Sequence, residues 1–199
     1  MAESTDVLKT EQSDTLIAAS VEMLQGGVRR NRQEASQVLA RLAKEDPASV
    51  ADCADALVAA LEVHEAQTRW QCLEALCEIA RVAPERILEG FDGAEEALFE
   101  EGSTSMRVAA FRFLTCYGMV SAPHSAKAWP IMAEALQCYH GDPEYRDMLV
   151  CLRDFAVADL DPGVRNNLVA RMTFDAEHAR GLVKAYATEV LVRMGEKEG

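Results

Sequence analysis

Strand-forming character is scarce in this sequence: aromatic residues make up 6%, and no β-branched run reaches strand length. That composition excludes a sheet-based core. Basic residues are also few, with 20 Lys and Arg against 33 Asp and Glu and a net charge of −13. Binding to phosphate backbones draws on clustered cations, so nucleic acid is disfavoured as a partner. No uncharged stretch approaches the roughly 18 residues of a membrane span. The longest evident one, Phe113 to Ala126, has 14 residues and contains Gly118 and Pro123. The opening Met-Ala-Glu-Ser-Thr-Asp carries no apolar core of a secretory signal, and a cytoplasmic location is expected. The six cysteines, Cys53, Cys72, Cys77, Cys116, Cys138 and Cys151, include no C-x-x-C pair. Their scatter suits reduced, buried thiols better than a disulfide framework or a zinc site. Neither metal nor cofactor is expected.

What the chain does have is helix-forming material, with 32 alanines and 19 leucines in a composition that is 49% apolar and 27% charged. These proportions suit a folded helical protein and exclude an acidic disordered chain. Sliding the sequence against itself reveals a repeat of 37 to 38 residues that places Arg32, Arg69, Arg107 and Tyr145 in register. Three residues on stand Ala35, Cys72, Ala110 and Met148; seven on, Leu39, Leu76, Leu114 and Leu152; eleven on, Ala43, Ala80, Gly118 and Ala156. Such spacing traces one face of an α-helix, with small residues where a neighbouring helix must come close. Pro47, Pro84, Pro123 and Pro162 then mark the turn into a second helix, since proline stops one helix and suits the first turn of the next. Each repeat is thus a hairpin of helices A and B. In helix B, offsets 18, 22, 25 and 29 form the core stripe, which aligns Leu61, Leu98, Leu136 and Phe174 at its last position. A lone B-type helix is expected from about Ser13 to Gln25, behind a flexible tail over 1–12. Four hairpins and a closing helix over about 175–194 complete a single repeat domain spanning 13–195.

The segments Thr68 to Ala80 and Met106 to Leu114 resemble the first helix of HEAT and armadillo-like repeats: an arginine, a small residue three on and a leucine seven on. Asp161-Pro162-Gly163-Val164-Arg165 is similar to that family's hairpin-opening motif, although the register puts it at a helix B. The resemblance implies an all-α, HEAT-like α-α superhelix (solenoid) of about four hairpins plus flanking helices, with the B helices lining a concave surface. It is specific for fold and unspecific for function.

No catalytic constellation emerges. The histidines His64, His124, His140 and His178 fall mostly at hairpin or repeat boundaries, where solvated imidazoles are expected. Cys138 and His140 could supply two metal ligands, but no second pair accompanies them at zinc spacing. One charged pattern remains on helix B, at offsets 20, 23, 27 and 30. It comprises Asp52, Asp55 and Glu62 in repeat one, Glu89, Asp92 and Glu96 in repeat two, and Glu134 in repeat three. The equivalents in repeat four, Arg165, Leu168, Met172 and Asp175, are less acidic and more apolar, which reads either as a shifted register or as an end that contacts a second subunit. The expectation is a non-catalytic protein-interaction scaffold that takes a basic or amphipathic protein or peptide on its acidic inner face. The alternative is a glycosylase acting on alkylated bases in DNA, since some of these resemble HEAT-like arrays. It would need a cationic surface that this chain lacks.

Overall fold

The computed structural model describes residues 2–196, which form α-helices, short 3₁₀ turns and connecting loops, with no strand among them. Helix α1 (Ala2–Gln25) comes first, followed by α2 (Arg29–Glu45). Residues 47–62 are a broken helix composed of α3 (Pro47–Val50), α4 (Ala54–Ala59) and two 3₁₀ turns. Next come α5 (Ala66–Ile79), a 3₁₀ segment over Pro84–Gly90, and α6 (Phe91–Phe99). The remainder is α7 (Thr104–Gly118), α8 (Ala122–Cys138), α9 (Tyr145–Phe155), α10 (Pro162–His178) and α11 (Gly181–Glu196). Helix α1 therefore begins well before Ser13 and takes in most of the segment read as a tail. The chain divides into two compact units, Met1–Gly93 and Ala94–Gly199, with the boundary inside α6.

Within the first unit, α1 packs on α2 and α4, and α2 packs on α5. Within the second, α7 packs on α8 and α9, α9 on α11, and α10 on both α8 and α11. Helix A of one repeat thus lies against helix A of the next, and α11 occupies the A position beyond α9. The residues at offset 7, Leu39, Leu76, Leu114 and Leu152, are all 0% exposed, as their shared place on the core face requires. In helix B the core stripe is equally consistent for three repeats: Val50, Ala54, Leu57 and Leu61; Ile87, Phe91, Ala94 and Leu98; Ser125, Trp129, Met132 and Leu136 are buried. Small residues earn their register at α7, where a Cβ on Gly118 would lie 2.7 Å from Phe155 Cε2.

The fourth repeat departs from the expected register by one residue. Phe174, aligned with the leucines of the core stripe, is 58% exposed, while Val164, Leu168, Met172 and Asp175 are buried. The loop before α10 carries one extra residue, so the helix meets the core one position later. The proline offsets already carried this signal, because Pro123 and Pro162 are 39 residues apart and Trp129 and Leu168 share that spacing. Asp161 opens α10, its carboxylate accepting from the Gly163 and Val164 N–H groups at 2.8 and 3.3 Å, with Pro162 in the first turn. Helix α8 runs unbroken through Pro130, whose ring lies on the exposed side. The helix neither starts there nor stops there.

The arginines in register across the repeats are structural. In α2, Arg32 forms an ion pair with Glu65, the residue immediately before α5. In α7, Arg107 reaches Glu144, the residue immediately before α9, through Nε at 2.8 Å and Nη2 at 2.5 Å. Each guanidinium therefore ties one A helix to the N-terminus of the next, where a carboxylate is favoured by the unpaired N–H groups. The Arg32 hydrogen bond holds the Glu65 carboxyl below the ordinary carboxylate range. At Glu144, burial opposes ionisation, but a backbone hydrogen bond and Arg107 together still hold the carboxyl below that range. In the fourth repeat Tyr145 takes the place of arginine, and its hydroxyl donates to the buried Asp175. Burial first, and then that acceptor, push the Tyr145 phenol up.

Candidate acidic cleft and flanking sites

All seven acidic residues singled out from the sequence are exposed, each on the side of helix B opposite its buried stripe. In the first unit, Asp52 and Asp55 come together with residues of α1 around an open cleft of about 490 Å³. Ile17, Ala18 and Val21 of α1 face Cys53 and Ala56 across it, and Asp14, Asp52 and Asp55 stand on its rim. The apolar floor follows from the α1 packing: Ile17 and Leu24 are buried, while Val21 remains partly open to the cleft. Asp14 was not legible as a site residue, because its role depends on where α1 docks. Burial first, and then the neighbouring Asp52 charge, push the Cys53 thiol up, which suits a floor residue and not a nucleophile.

One of the seven charges is already answered within the chain, since Arg86 Nη2 lies 2.9 Å from Asp52 Oδ1. Both partners are open to solvent, so the pair is weak and exchangeable. Glu62, Glu89 and Asp92 are exposed in the same unit but do not line the cleft. Glu96 and Glu134 belong to the second unit.

Two of the histidines expected to be solvated are engaged. His124 Nδ1 is 2.7 Å from Ser121 Oγ and its ring meets Tyr117 edge-on. His140 Nε2 is 3.2 Å from Asp175 Oδ1 and its ring meets Tyr145 edge-on. Cys138 is exposed, and Tyr139 between them donates to the Leu98 carbonyl at 3.0 Å, so Cys138 and His140 do not share a site. No group of three His, Cys, Asp or Glu side chains suited to a metal occurs among the described residues. No helix among them is long and apolar enough to cross a membrane.

Solved structures similar to this chain are helical-repeat proteins. A designed armadillo repeat protein in complex with the peptide (KR)4 has a TM-score of 0.73 at 15% identity, covering 93% of this chain and 86% of its own. The chain has an armadillo-like helical-repeat fold. A second designed armadillo repeat protein has a TM-score of 0.60 at 12% identity, covering 88% of this chain and 98% of its own. An engineered protein solved by the Northeast Structural Genomics Consortium has a TM-score of 0.63 at 17% identity, covering 89% and 80%. No protein-family model matches the sequence, and no curated protein matches it. Identities this low carry the armadillo-like arrangement of helices and leave function to the side chains of this chain.

Proposed function

We propose that this armadillo-like protein is a non-catalytic adaptor that captures a basic, amphipathic segment of a partner protein on its acidic B-helix faces. The observation that carries this reading is the cleft between α1 and α4, where an apolar floor is rimmed by Asp14, Asp52 and Asp55. A segment with lysines or arginines on one side and aliphatic residues on the other complements both features at once. Glu62, Glu89, Asp92, Glu96 and Glu134 extend the acidic character along the B segments and add long-range attraction for a cationic partner. The structurally similar designed protein that holds (KR)4 supplies a precedent for basic ligands on this type of fold.

The test is fluorescence anisotropy with a labelled (Lys-Arg)4 peptide and with an amphipathic lysine-leucine peptide. The amphipathic peptide is expected to bind more tightly, and both to weaken with salt. The D55N/D92N/E96Q variant should lose at least about threefold in affinity, the lower bound for three solvent-exposed charge interactions. Equal binding by wild type and variant at low salt would overturn the reading.

A further inference from the structure

The second compact unit holds a pocket of the opposite character. A cavity of about 350 Å³ lies between the start of α9 and the α10–α11 turn, with His140, Asp142, Tyr145, Arg146, Arg180 and Val183 among its lining. In a chain with 33 acidic residues, arginines readily find carboxylates; Arg30, Arg32, Arg86, Arg107, Arg153 and Arg193 all do. Arg146 and Arg180 make no hydrogen bond or ion pair among the described residues, and both open onto this one cavity. The third cationic group is His140. Its ring is held against Tyr145, with centroids 4.7 Å apart, and its Nε2 is directed at Asp175, leaving Nδ1 without a protein partner. Asp175 is 1% exposed and also takes the Tyr145 hydroxyl, so its charge is spent on holding the imidazole in place. Helix α11 starts beside Arg180 with no acidic residue in its first turn, which adds the positive end of its dipole. The opposing charge on the rim is Asp142 alone.

We propose that this pocket binds a small phosphate monoester, independently of the acidic faces. Two guanidinium forks and an imidazole offer more donors than a carboxylate has oxygens to accept, whereas a phosphoryl group presents three. The cavity also exceeds what a bare anion needs, and Val183, Pro143 and the Tyr145 ring wall the remaining space, which suits a compact organic group on the ester oxygen.

The experiment is an NMR titration of the full chain with phenyl phosphate, inorganic phosphate and benzoate, following backbone amides. Phenyl phosphate is expected to give saturable shifts confined to residues 140–146 and 179–184, with tighter binding than either other probe. R146Q and R180Q should each weaken it about tenfold, as for one hydrogen bond to a charged group. R30Q, which removes a guanidinium paired with Glu34 on α2, should leave it unchanged. Absence of saturation at about 10 mM, a range that still detects binding of a few kcal/mol, would overturn the site. Unaltered binding by R146Q and R180Q with native spectra would do the same. Benzoate binding as tightly would overturn the phosphate assignment, and inorganic phosphate binding as tightly would overturn the monoester. A phosphoserine peptide that binds while phenyl phosphate does not would replace the small molecule with a protein ligand and overturn the proposal as stated.

Discussion

Replacing Gly118 with alanine tests the packing of the second unit at its tightest point. The new Cβ would lie 2.7 Å from Phe155 Cε2, roughly 0.8 Å inside the closest comfortable carbon contact. Phe155 has nowhere to retreat: it is 0% exposed, and its ring stacks on Trp129 with centroids 6.2 Å apart and planes at 7°. On the other side the Ser125 Cα is 3.5 Å away, so the backbone of α8 bars the opposite movement. Overpacking of this kind costs about 1 to 3 kcal/mol. Removing a glycine at the end of a helix returns at most about 1 kcal/mol, giving a net loss of about 1 to 2 kcal/mol. For a chain of this length that is a fall of about 2 to 8 °C in Tm, measured by circular dichroism at 222 nm. Two companions sharpen the test. F155L in the G118A background should recover part of the loss, a coupling that independent sites do not show. Gly27→Ala, where an added Cβ meets nothing within 4 Å, should be neutral or stabilising by up to about 1 kcal/mol. A G118A protein as stable as wild type would refute the close approach of α7, α8 and α9.

Leu39→Ala, Leu76→Ala and Leu114→Ala should each cost about 2 to 5 kcal/mol in urea unfolding, because all three side chains are fully enclosed. Glu65 and Glu144 carry lowered pKa values in the folded chain, so the stability they contribute is complete above their ordinary value of 4.5 and is lost as pH falls through the lower folded values. Urea midpoints should therefore drop below about pH 4.5, and drop less steeply in E65Q and E144Q, where that proton uptake is absent. Cys138 is exposed and should react with a thiol reagent in the native protein. Cys72 and Cys151, both pushed up to about 12 by burial, should react only on unfolding. Rapid native labelling of Cys72 would show the α2–α5 core to be open.

The repeat was legible because its signal is redundant: Leu39, Leu76, Leu114 and Leu152 occupy one position of one face, and any of them could be lost without hiding the period. The fourth helix B was misaligned because Phe174 looks like a core residue and Asp175 does not. Hydrophobicity cannot anticipate a buried carboxylate satisfied by Tyr145 and His140 from other elements. Similarly, the exposed acidic face could be read from helical periodicity, but the cleft could not. Its floor and the Asp14 rim come from α1, and the docking of α1 is a tertiary fact that no local pattern encodes. Glu65 and Glu144 escaped notice because they stand at different offsets within their repeats, and only the reach of the arginine makes them equivalent.

The arginine ties also give the repeats an address. Arg107 is answered by a glutamate that belongs to the following repeat, so a hairpin carries half of each bond and depends on its neighbour for the rest. A tandem copy of the third hairpin would place Ser103, the residue that caps α7, where Arg107 of the preceding copy meets Glu144. A short hydroxyl would then stand in for a carboxylate, and a half-buried guanidinium would lose its counter-charge. Tyr145 answers to Asp175 instead, so the fourth hairpin cannot be exchanged with the first three without exchanging both members of its pair. Duplication and shuffling of this chain are thereby restricted to cuts that move donor and acceptor together, and its repeats, alike in outline, are not interchangeable parts.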